Sequence, residues 1–79
     1  MKTFTLYSTS ACHLCELAKA MIEVQMGRAG DIACEELDIS ESDVLFERYG
    51  VLIPVLQHPD QRELNWPFSP ELLQEFMLS

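Results

Sequence analysis

"STSACHLCELAKAMIE", residues 8–23, sets Cys12 and Cys15 two residues apart where a polar stretch gives way to a helical pattern. Three readings of the pair compete: a redox couple, part of a metal site, or two small core residues near a helix start. Upstream, "TFTLY" at residues 3–7 is β-branched and aromatic and alternates Phe4 and Leu6 against Thr3, Thr5 and Tyr7, which predicts a strand. Downstream, Leu14, Leu17, Ala18, Met21 and either Ile22 or Val24 recur at helical spacing opposite Glu16, Lys19 and Glu23. This predicts a helix from about Cys12 to Met26, ended by Gly27 and Gly30. The cysteines therefore fall at a strand-to-helix turn.

Further along, Ile32, Cys34, Leu37 and Ile39 in "DIACEELDIS" predict a second strand. Ser40, with Asp43 three residues later, signals the start of a short helix over 41–49 that runs to Gly50. "VLIPVLQ" is an apolar run interrupted by Pro54, and "HPDQ" supplies turn chemistry before "RELNW", so a hairpin is expected. Ser69 can cap, and Pro70 can open, a last helix carrying Leu72, Leu73, Phe76 and Met77. The order β-α-β-α-β-β-α implies a parallel first pair with a right-handed crossover and an antiparallel closing hairpin. The expected fold is α/β, a four-stranded mixed sheet flanked by three helices on both faces, in one domain spanning 1–79.

Composition narrows the partners. Thirteen acidic residues against five basic ones give a net charge of -8, which repels nucleic acid and anionic membranes and disfavours the anion glutathione unless a cationic pocket compensates. Three cysteines, with Cys34 far from the close pair, do not form the even framework of small secreted domains. "MKTFTLYSTSAC" superficially resembles a lipoprotein cleavage site, but Thr3, Thr5, Ser8, Thr9 and Ser10 interrupt its apolar run. A soluble cytoplasmic monomer in a reducing compartment is the expectation.

A helix start points unpaired N–H groups and the positive dipole end at the Cys12 sulfur and favours its thiolate, the attacking species in exchange. Cys15, one turn on, is placed to attack a mixed disulfide on Cys12. His13 could add a positive charge beside that thiolate, or simply face solvent. Zinc needs four ligands, and only Cys34, His13 and His58 remain, widely scattered, so no metal is expected. Cys34 reads as a small buried hydrophobe.

With the pair after strand one and Pro54 before the hairpin, the chain resembles the thioredoxin fold, and its length points to glutaredoxin. "LYSTSACHLC" is similar to that family's strand and active-site loop, and "GVLIPVLQ" to the segment carrying its cis-proline. The resemblance implies that Cys12 is the nucleophile and Cys15 the resolving cysteine. It also implies that Pro54 is the cis-proline and that Ile53 pairs its backbone with the substrate; a trans proline on an edge strand is the alternative. His13 joins Ile53 and Pro54 as a substrate-side candidate.

The chain also departs from the family. "LNWPFSPELL" stands where a Gly-Gly and acidic motif would bind a glutathione carboxylate, and no basic residue shortly precedes Cys12. Pro67 and Pro70 lack the N–H donors of an anion site. "LNWPF" is similar to a subgroup of small glutaredoxin-like proteins; Trp66 and Phe68 either meet a protein substrate or pack the junction of hairpin and last helix. The resemblance thus implies a thiol-disulfide oxidoreductase that needs no bound cofactor. Its substrates would be disulfide-containing proteins or glutathione mixed disulfides, with glutathione or a reductase as electron donor. The alternatives are a non-catalytic binding module, or an iron-sulfur or zinc protein using Cys12.

Overall fold

A computed structural model describes residues 2–79. Its strands are β1 (Lys2–Ser8), β2 (Ile32–Asp38), β3 (Val55–Gln57) and β4 (Glu63–Asn65), in the order β2-β1-β3-β4. Its helices are α1 (His13–Ala29), α2 (Asp43–Tyr49) and α3 (Pro70–Leu78), with a 3-10 turn at Ile39–Glu41 before α2. β1 pairs β2 in parallel and β3 antiparallel, and β3 pairs β4 antiparallel, so the sheet is mixed. The α/β class, element order and four-stranded mixed sheet are those expected from the sequence.

Strand alternation sorts the core onto the two faces of the sheet. Phe4 and Leu6 of β1 and Leu56 of β3 pack with Ala18 and Ile22 of α1 and Leu73 and Met77 of α3. Tyr7 and Val55, paired across β1 and β3, turn the other way and pack with Ile39 and with Tyr49 of α2. Tyr7 is buried because α2 covers the face that Thr3 and Thr5 would leave wet. Phe68 is buried in the larger cluster and Trp66 packs edge-on against it at 5.0 Å, which favours the junction-packing role for both.

Three local expectations need correction. α1 continues through Gly27 to Ala29, and the left-handed C-cap belongs to Gly30 alone, with φ of 79°. Along α1 the buried residues are Cys15, Ala18, Ile22 and Gln25, whereas Leu14, Leu17 and Val24 are exposed. The second helix is capped by Ser42, whose hydroxyl accepts the Leu45 N–H at 3.3 Å. Ser40 instead gives its own N–H and hydroxyl to the Asp38 carboxylate at 2.9 and 2.7 Å, and that bond makes the 3-10 turn which delays the helix.

The strand register gathers the loops that matter. Ser8 lies beside Asp38, Val55 beside Tyr7, and Asn65 opposite Val55. The connections Thr9–Cys12, Ile39–Ser42, Gly50–Pro54 and Trp66–Ser69 therefore all meet the same end of the sheet. At the opposite end, Ser79 is held by Lys2 Nζ, His58 Nε2 and the Arg62 guanidinium at 3.0, 2.9 and 2.8 Å. The His58 ring bridges this end, with Nδ1 3.1 Å from the Asp60 backbone nitrogen and 3.1 Å from the Asp60 Oδ1, and Nε2 2.9 Å from the Ser79 carbonyl.

Candidate active site

Cys12 is the N-cap of α1, in extended backbone conformation, reached from β1 through a turn in which Ala11 has φ of 59°. Its Sγ accepts the Cys15 backbone N–H at 3.2 Å, taking the place that a Ser or Asp oxygen fills at most helix starts. Cys15, one turn inside, brings its sulfur to disulfide distance of Cys12, with the Cα atoms 5.2 Å apart. Exposure divides the pair. Cys12 is partly open to solvent, whereas Cys15 is 3% exposed beneath it.

A helix N-cap presents unpaired N–H groups and the positive end of the helix dipole, an environment that favours a thiolate over a thiol. His13, the first residue of α1, is exposed. Glu16 lies in the same first turn.

The Ile53–Pro54 peptide is cis, as is Trp66–Pro67, the second of which no feature of the sequence announced. Pro54 is buried immediately before β3, and by the Tyr7–Val55 register it lies beside Ser8, at the end of the sheet from which the Cys12 loop departs. Ile53 is partly buried against the Tyr7–Tyr49 cluster. The structure thus brings Cys12, Cys15, Ile53 and Pro54 to one end of the sheet, with His13 on its outer rim.

Tyr49 stands out in structure but not in sequence. Its ring stacks on Tyr7 with centroids 4.2 Å apart, and its hydroxyl donates to the Glu63 carboxylate on β4. Its carbonyl accepts the N–H groups of Leu52 and Ile53 at 2.8 and 3.1 Å, so it holds the chain that leads into Pro54. Burial and the neighbouring Glu63 charge push its phenol well above the usual tyrosine range. Only an aromatic residue at the end of α2 hinted at this in the sequence.

Beside the Cys12 loop, a cleft of about 600 Å³ opens between Ser8–Ser10, α1 and the Leu37–Ser42 segment. Its charged walls are Glu16, Lys19, Glu36, Asp38 and Glu41. Lys19 is 3.3 Å from one Glu36 oxygen, and Ser8 donates to the other at 2.8 Å, so the cleft's one cation is already paired. Hydrogen bonds from Ser40 hold the Asp38 carboxyl below the usual carboxylate range. Cys34 lies on β2, only partly buried, and desolvation together with Glu36 pushes its thiol up to about 11. Among the described residues, no group of three or more His, Cys, Asp or Glu side chains is arranged to hold a metal ion.

Residues 3–78 match the family described as a glutaredoxin-like domain (DUF836). The X-ray structure of protein XcR50 from X. campestris is similar to this chain at 36% identity and a TM-score of 0.82, covering 94% of this chain and 93% of that one. A solution structure of the X. campestris protein gives 34% identity and a TM-score of 0.80, covering 98% and 92%. Protein Ne2328 from Nitrosomonas europaea shares the fold at 22% identity, with a TM-score of 0.78 over 95% of this chain and 89% of that one. No curated protein matches the chain in sequence.

Proposed function

We propose that this chain, which belongs to the glutaredoxin-like domain family, is a thiol-disulfide oxidoreductase working through the Cys12/Cys15 pair. The observation that carries this reading is the pair's asymmetry: an accessible sulfur capping α1 and a buried one at disulfide distance behind it. In the cycle, the Cys12 thiolate attacks one sulfur of a substrate disulfide and the other sulfur leaves as a thiolate that takes up a proton. The Cys15 thiolate then attacks the Cys12 sulfur of the mixed disulfide, forming Cys12–Cys15 and releasing the second substrate thiol. The substrate gains two electrons and the protein loses them, and a thiol donor, either glutathione or a dithiol protein, restores the reduced pair. No resident cofactor takes part.

Ile53 and Pro54 supply the backbone edge against which the substrate strand lies, and His13 flanks it. We place the reaction, carried out by a monomer, in a reducing cytoplasm, where such a pair can turn over.

Redox titration in buffers of defined glutathione poise, with mass spectrometry of the trapped thiols, tests the proposal. A reversible Cys12–Cys15 disulfide with a midpoint of about -200 to -270 mV, the span of glutaredoxins and thioredoxin, is the expected result. Absence of any reversible disulfide sinks it and leaves a binding module on the same fold.

A further inference from the structure

The end of the sheet that carries Cys12 exposes several apolar side chains. Val51, 97% exposed, and Leu52 stand in the loop before Pro54, Leu14 stands in the first turn of α1, and Leu72 at the start of α3. Lone exposed apolar residues are ordinary, but these four ring the connections that converge on the Cys12 loop. Acidic side chains share the same end: Glu16, Asp43 and Glu71 in the first turns of the three α-helices, with Asp38 and Glu41 in the cleft.

Cations at this end are few, and each is already engaged or lies outside the cleft lining. Of the five Lys and Arg residues, Lys2 and Arg62 hold Ser79 at the far end, and Arg28 lies in the last turn of α1. Lys19 is paired with Glu36, and Arg48 sits over the Tyr49 ring at 5.3 Å from its centroid. An anionic tripeptide disulfide finds no free cation in the cleft and no apolar surface of its own to offer.

From this complementarity we infer that the partner docking at Cys12 is a protein segment whose cysteine is flanked by apolar residues and by Lys or Arg, not glutathione. The apolar residues cover Leu14, Val51 and Leu52, and a basic side chain enters the cleft between Glu16, Asp38 and Glu41. The inference rests on the exchange reading above and names its substrate class.

Stopped-flow oxidation of the reduced chain tests it with four disulfides at low salt. They are an apolar peptide disulfide with Lys flanks, the same peptide with Glu flanks, oxidised glutathione, and the neutral bis(2-hydroxyethyl) disulfide. The Lys-flanked peptide should react at least ~10-fold faster than the Glu-flanked one and faster than oxidised glutathione, and added salt should close the gap. Glu41→Lys should shrink that ratio, and serine in place of the peptide's apolar residues should slow it. Equal rates for the two peptides, or glutathione reacting fastest, overturn the inference while leaving exchange intact. If even the neutral disulfide fails to oxidise Cys12, the exchange reading falls and this inference with it.

Discussion

The backbone N–H of Cys15 donates to the Cys12 sulfur at 3.2 Å, and this bond does not depend on the Cys15 side chain. On the exchange reading, Cys15→Ser should therefore keep the helix-start environment of Cys12 while removing the proposed resolving thiol. The variant is expected to accumulate a mixed disulfide on Cys12 when challenged with a disulfide substrate, seen as one adduct by intact-mass spectrometry. Recovery of the free thiol at the parent rate would show that Cys15 does not resolve.

Cys12 and Cys34 should part company under alkylation. With a thiol pushed up to about 11, Cys34 is only about 0.1% thiolate at pH 8. Iodoacetamide applied to the reduced protein at that pH should label Cys12 first, and peptide mapping over a time course reads the order. Equal labelling of the two would remove the case for activation at the helix start.

The same thiol makes stability depend on pH, and the sign is fixed. The folded state holds the Cys34 proton more tightly than the unfolded chain, whose thiol titrates near its ordinary 9.0. Its contribution is thus whole below pH 9.0 and is lost as pH rises toward about 11. The urea midpoint of the parent should fall more steeply between pH 9 and 11 than that of Cys34→Ala, since every other titrating group is common to both.

Tyr49→Phe removes the hydroxyl that donates to Glu63 but keeps the stack on Tyr7. A loss of about 1.5–3 kcal/mol is expected in urea unfolding, the range for a hydrogen bond to a charged acceptor. Tyr49→Ala also empties the space between α2 and the sheet, and about 3–5 kcal/mol should go.

Gly50 is needed for a close approach rather than for an unusual backbone. Its φ and ψ of -51° and -33° suit any residue, yet a Cβ there would meet the Phe46 carbonyl oxygen at 2.5 Å. Gly50→Ala should cost about 1–3 kcal/mol and displace the Val51–Pro54 loop. Slower exchange at Cys12 alongside a lowered urea midpoint is the expected pair of readings, and an unchanged midpoint would show that the turn yields freely.

The fold was legible because strand and helix periodicities were clean and a cysteine pair marked one junction. The rotation of α1 was not, because apolar residues occur all round it: Leu14, Leu17 and Val24 on one side, Ala18 and Ile22 on the other. Cys15 settles the matter by turning inward toward the Cys12 sulfur, and Ala18, Ile22 and Gln25 follow it at three- and four-residue steps. Ser40 and Ser42 are equally good caps in isolation, and only the Asp38 carboxylate chooses between them. Tyr49 and Gly50 were invisible as parts of the site because their importance lies in contacts with β1, β4 and the preceding turn, which sequence spacing does not encode.

One consequence of the strand order concerns how the chain is made. β1 is synthesised first yet is flanked by β2 and β3, so its second edge finds no partner until residues 55–57 have left the ribosome. Until then the nascent chain carries an open strand edge, and Phe4 and Leu6 lack the cover of Leu56, Leu73 and Met77. Synthesis stalled before Val55 would therefore leave an unpaired strand edge open to pairing with other chains.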